Sequence, residues 1–98
     1  MKIEFHPSAD AEFAAAIRYY ENSQAGLGVR LCREALAKLD WIAANPLLSR
    51  LRNNHRRTNL QVFPFFIAYV VEEQTIWVVA VAHAHRRPGY WLERLRAK

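Results

Sequence analysis

The sequence predicts an α+β domain: an N-terminal strand, a two-helix hairpin packed on a three- to four-stranded antiparallel sheet, and a short basic C-terminal tail. Three observations lead there. Two helical apolar stripes, separated by a glycine-containing turn, occupy residues 8–44. After Pro46 the period changes to short segments rich in Val, Ile, Phe, Tyr and Thr. And 98 residues with 52% hydrophobic content bury one core and have no length for a second, so residues 1–98 are read as a single domain.

Ile3 and Phe5 alternate with Lys2 and Glu4, the period of a half-buried strand. Pro7 suits a helix's first turn, with Asp10 and Glu12 complementing the dipole there, and the spacing predicts a helix over 8–22 whose stripe is Phe13, Ala16, Ile17 and Tyr20. "NSQAGLG" turns the chain into a second helix, 27–44, with Cys32, Ala35, Leu36, Leu39, Ile42 and Ala43 on one face. Arg30/Glu34 and Glu34/Lys38 are spaced for ion pairs outside it, and Trp41 falls opposite the stripe. Asn45-Pro46 ends the helix. The later strands follow, with a hairpin around Gln74, and the apolar runs 65–71 and 76–82 mark central strands covered on both faces. Phe13, Ile17, Leu36, Leu39, Ile67, Tyr69, Val79 and Val81 are assigned to the core.

Charge is divided unequally. Residues 1–49 carry five basic and six acidic groups, a net −1, and residues 50–98 carry nine basic and three acidic, a net +6. The basic half predicts an acidic partner, nucleic acid or protein. No apolar run approaches the length of a membrane span and no signal-peptide pattern opens the chain, so a soluble, cytoplasmic protein is expected, with Cys32 a structural thiol.

Seven pieces in order resemble the ParE/RelE toxin superfamily, in its ParE-type plasmid-stabilisation branch: "FHPSADAEF", "YYE", "GLG", "NP", the pair Arg56-Arg57, "FPFFIAY" and "VAHAHRRPGYWLER". The resemblance implies a toxin of a type II toxin–antitoxin pair that inhibits DNA gyrase and blocks replication by binding, with no catalytic residues and no cofactor of its own. It also implies a hetero-oligomeric complex with a ParD-like antitoxin of ribbon-helix-helix type, whose C-terminal segment folds onto the helical hairpin and sheet.

The residues leave other chemistry to weigh. His83 and His85 share a strand face, but a zinc site needs further ligands, so no metal is expected and His83 is read as holding the turn that follows. A ribonuclease of the RelE kind is the alternative, with Arg57, His85, Arg86 and Tyr90 in the acid, base and phosphate-binding roles. The lysines of that branch have no counterpart here, because Lys2, Lys38 and Lys98 lie off the predicted sheet. A non-toxic binding relative is the third reading. The candidate surface for target or antitoxin is Trp41, Arg56, Arg57, Arg86, Arg87, Tyr90, Trp91, Arg94 and Arg96, with the arginine clusters 50–57 and 86–96 expected to meet along one edge. For Tyr90 and Trp91 the default expectation is that they pack the tail back against the sheet.

Overall fold

His6 ends strand β1 (Lys2–Phe5) and caps helix α1 (Pro7–Ser23): its Nδ1 accepts the Ser8 amide at 3.0 Å, and Pro7 stands where its missing N–H costs nothing. This computed structural model describes residues 1–87 and 89–97, with Arg96 and Ala97 described in the backbone alone. Helix α2 (Leu27–Ala44) has the predicted bounds. Its N-cap, Gly26, has the left-handed φ of 89° and no side chain to cap with, so Glu21 of α1 accepts the Gly26 and Gly28 amides at 2.8 and 2.9 Å. Gly28 serves the helix crossing. A Cβ there would stand 2.5 Å from the Ile17 carbonyl oxygen and 2.9 Å from the Glu21 Cβ.

The sheet contains β2 (Leu51–Arg52), β3 (His55–Asn59), β4 (Phe65–Glu72) and β5 (Thr75–His83), and the short helix α3 (Arg94–Ala97) follows in the tail. The strand order is β1-β5-β4-β3-β2. The four later strands pair antiparallel, as predicted, and β1 joins in parallel beside β5. Asn53 and Asn54, both at positive φ, make the tight β2–β3 turn, and Glu73–Gln74 make the β4–β5 turn with Glu73 at φ 55°.

One irregularity sets the faces of β5. The register steps from Tyr69–Val78 to Ala68–Ala80, leaving Val79 without a partner in β4. Before the bulge Ile76 and Val78 face the helices, and after it Val81 does, whereas Val79, Ala80 and Ala82 face the other side. On the helical face these residues meet Ala9, Ala16, Leu31, Ala35, Leu39 and Ile42, with Ile67 and Tyr69 from β4. On the opposite face Trp91 folds back from the tail over Ala68, Val70, Val79, Ala80 and Ala82. Val79 is therefore core, as expected, but of this second layer.

Two expectations about α2 need correcting. Leu36 is 50% exposed, and Leu31 takes the buried place instead, because the stripe runs through 28, 31, 35, 39 and 42. Cys32 is half-buried at its margin. Glu34 pairs with neither Arg30 nor Lys38. Its carboxylate accepts the Gln61 amide at 2.6 Å and the Val62 amide at 3.0 Å and also reaches the Phe63 amide, fastening the β3–β4 loop to the helix. Burial opposes its charge, but those amides, helped by Lys38, outweigh burial and hold the carboxyl below its ordinary range.

Gly28→Ala is expected to lower stability by about 1–3 kcal/mol, the usual cost of forcing one methyl into a filled contact. Urea unfolding checks this, and an unchanged midpoint would show that the helices separate without penalty.

Candidate functional site

Strand β1 reaches only part of β5. Its last ladder contact is the His6 amide on the Val78 carbonyl, at 2.8 Å, and beyond it the bulge turns the Val79 carbonyl and the Val81 amide toward an edge that, among the described residues, has no neighbouring strand. Two side chains stand in for that strand. Glu12 Oε1 accepts the Val81 amide at 3.1 Å, and Arg94 Nη1 donates to the Val79 carbonyl at 3.1 Å. The two then join each other, Arg94 Nη2 to Glu12 Oε2 at 2.8 Å, while the Tyr90 hydroxyl donates to the same oxygen at 2.7 Å. The Glu12 and Arg94 side chains are 16% and 18% exposed, so the pair is poorly screened by solvent.

Burial pushes the Glu12 carboxyl up, and the hydrogen bonds from Arg94, Tyr90 and Val81, with the Arg94 charge, bring it below its ordinary value. Tyr90 is pushed up to about 12 by burial and by the Glu12 carboxylate, against a smaller opposite pull from Arg86 and Arg94. Its phenol is a neutral donor at pH 7.

Two depressions lie on either side of Tyr90. An open groove of about 540 Å³ runs between α1 and the end of β5, with Ala15, Ala16, Tyr19, Tyr20, Phe65 and Val81 along it and His83, Arg86 and Tyr90 at one end. A smaller hollow of about 160 Å³ lies beyond, bounded by Arg57, Phe66, His83, Arg86, Arg87 and Trp91. The Arg86 guanidinium stacks 4.2 Å from the Tyr90 ring centroid and divides the two, while Arg57 stacks 4.8 Å from Phe66. Burial and the neighbouring Arg52 charge both lower the Arg57 pKa.

Arg57, Arg86, Arg87 and Tyr90 are thus brought together as the sequence suggested. Others are not. Trp91, a candidate contact, is 2% exposed and packs edge-on against His55 at 4.7 Å, because an indole folded onto the sheet buries more area than it would at a rim. Arg94, expected on the outer surface of the tail, is turned inward by Glu12 and the Val79 carbonyl. Arg56 is half-buried and donates to the Leu47 and Ser49 carbonyls, tying down the crossover before β2. His85 is exposed, its amide bonded to His83 Nδ1 at 3.1 Å, which fits His83 as holder of the turn. Trp41 lies 39% exposed, with Lys38 Nζ 5.4 Å from its ring centroid. The Arg96 side chain falls outside the described residues. Among those residues no three His, Cys, Asp or Glu side chains are grouped to hold a metal, and no helix is long and apolar enough to cross a membrane.

Sequence reasoning missed four participants. Glu12 was assigned to the helix dipole, although its position three after Ala9 and four before Ala16 puts it on the buried face, a place a carboxylate occupies only with partners. Tyr19 and Ala15 lie off the predicted stripe of α1. His55, 5% exposed, is held below its ordinary pKa chiefly by burial, against the opposing Asn53 carbonyl, with lesser lowering by the Arg57 and Arg52 charges.

A strand, a helical hairpin and a sheet ending in a pinned basic tail define the class of small α+β toxin folds that the seven motifs suggested. A family model described as the ParE toxin of the type II toxin–antitoxin system parDE matches residues 3–88, and the chain belongs to that family. Among solved structures it is similar to a chain of the chromosomal ParDE toxin–antitoxin system from P. aeruginosa, with a TM-score of 0.74 and 16% identity over 87% of this chain and 97% of that one, a likeness of fold. No curated protein matches it.

The titrations have opposite signs. Tyr90, raised from 10.0 to about 12, favours the fold fully below pH 10 and loses its contribution as pH rises toward 12. Glu12, lowered from 4.5, contributes fully above that value and loses it as pH falls through its folded pKa. Urea midpoints followed across pH should show Tyr90→Phe flattening the alkaline limb and Glu12→Gln the acid limb below pH 4.5. Unchanged limbs in both variants would mean that the network does not hold the tail.

Proposed function

We propose that this ParE-family toxin inhibits DNA gyrase by binding, and that a ParD-like ribbon-helix-helix antitoxin neutralises it in a cytoplasmic hetero-oligomer. The observation that carries the binding part is the state of the would-be catalytic groups. Tyr90 spends its hydroxyl on Glu12 and titrates near 12, far from the value a general acid or base needs at neutral pH, and His85 stands exposed outside the hollow. What remains around the hollow is a set of fixed guanidinium groups, suited to holding an anion.

The exposed side chains that follow α2 suit a protein partner. Leu47, Leu48 and Leu51 are 64%, 69% and 58% exposed although the Arg56 bonds anchor their loop, and Trp41 precedes them on α2. An antitoxin segment that orders on binding would bury them.

A second reading, a ribosome-dependent mRNA endonuclease, is supported by one observation: Arg57, Arg86 and Tyr90 line a common hollow. Purified toxin titrated into a gyrase supercoiling reaction, with co-expressed antitoxin as the reversal control, separates the two. Lost supercoiling with trapped double-strand breaks, reversed by antitoxin, is expected, with Tyr90→Phe and His85→Ala keeping most of the effect. Unaffected gyrase together with cleaved mRNA on translating ribosomes, abolished by His85→Ala, would replace this reading with the second.

A further inference from the structure

Of the four histidines His55 alone is buried, and the Trp91 ring closes over it at 4.7 Å, edge to face. This contact is the tail's second fastening. Glu12 holds Tyr90 and Arg94, whereas Trp91, between them in sequence, lies over Ala68, Val70, Val79, Ala80 and Ala82 on the second face of the sheet. The place suits a neutral imidazole. Its Nδ1 stands 3.4 Å from the Asn53 carbonyl, a long hydrogen bond, and among the described residues no carboxylate forms an ion pair with it. Arg52, its partner across the β2–β3 pair, and Arg57, two residues along β3, share its face, and their charges act on the ring. On β4 the register sets Val70 beside it, and Glu72 lies further along that face, around a depression with Asn53, Asn54, Val70 and Leu95. From the tail, Glu93 is exposed and Arg94 is committed to Glu12. A proton on His55 therefore adds a third cation beside two arginines, out of water.

We propose that protonation of His55 in mildly acidic solution expels the Trp91 indole from the second face of the sheet, which makes this contact a proton-operated latch within the tail. The attraction between an imidazolium and an indole opposes release. Against it stand the lost hydration of a buried charge and the repulsion from Arg57 and Arg52. Covered and uncovered, the ring has two affinities for a proton. Under the indole, burial, with the two arginine charges and against the Asn53 carbonyl, holds it below its ordinary 6.5, and in water it returns toward that value. The open form thus binds the proton more tightly. The contact is fully kept above pH 6.5 and is lost as pH falls through the covered ring's value, with the open-to-closed ratio rising about tenfold per pH unit inside that window. Glu12 keeps its charge until the pH is below 4.5, so Tyr90 and Arg94 hold the backbone while the indole swings. Trp91 also bounds the hollow of Arg57, Arg86 and Arg87, so the proton changes a wall of that hollow, whatever the toxin binds.

The test is the broadening of indole N–H signals by a neutral nitroxide in solution, read on the isotope-labelled full chain from about pH 7.5 to about pH 5, the range in which imidazole titrates and most carboxylates do not. The Trp91 signal is expected to be shielded at the upper end and to broaden at least about fivefold more at the lower, with the midpoint of the His55 ring signal. Trp41 on α2 is expected to stay unchanged, and so is the hydrogen-exchange protection of the Val81 amide, which Glu12 holds. His55→Phe keeps an aromatic edge against the indole and His55→Gln keeps a donor for the Asn53 carbonyl, and neither takes a proton. In both, Trp91 should remain as shielded at the lower end as at the upper. The unsubstituted chain decides the first point alone: a Trp91 signal equally shielded across the range would overturn the proposal. Broadening that persists in the neutral variants would overturn it too, as would a Val81 amide that loses protection in step with Trp91, the mark of general acid unfolding.

Discussion

The Glu12–Arg94 pair is the constraint on which the C-terminal third of the molecule depends. A sheet edge left open by a short strand carries unpaired backbone groups, and here they are completed by side chains 82 residues apart in sequence rather than by more strand. Satisfying the edge fixes Arg94. Fixing Arg94 seats Tyr90, and Tyr90 positions Arg86 above its ring. The same fold-back places Trp91 over the second face of the sheet, which would otherwise expose Ala68, Val79, Ala80 and Ala82. Breaking one partner leaves a charge in a poorly solvated place, so the cost exceeds that of a surface pair.

Much of this architecture was legible in the residues. The helix bounds, the hairpin at Glu73–Gln74, the four antiparallel strands and the two-sided burial of β4 and β5 follow from period, turn chemistry and apolar run length, all local properties. The parallel placement of β1 was not, because nothing in "KIEF" records which strand it will meet. The bulge at Val79 was hidden for a related reason: in a run apolar at every position, a change of face leaves no mark in the pattern. Leu36 and Leu31 exchanged roles because the stripe on α2 is broad and a shift of one residue lies within its width.

The site divides the same way. Arg57, Arg86 and Arg87 were found by residue type and motif, but their pairing with Phe66 and Tyr90 depends on contacts across strands and tail. Trp91 and Arg94 have the composition of interface residues and the positions of structural ones. A basic aromatic tail reads as a clamp until the edge that it covers is seen. Membership in the ParE family sets the toxin role.

The most direct measurement is a double-mutant cycle of Glu12→Gln and Arg94→Met by urea unfolding, with amide exchange at Val81 followed in each variant. The pair as keystone predicts that each single change costs about 2–4 kcal/mol and that the double change costs at least about 1 kcal/mol less than their sum, with Val81 losing protection in all three variants. Additive effects with a Val81 amide as protected as before would show that the edge and the tail are held by something else.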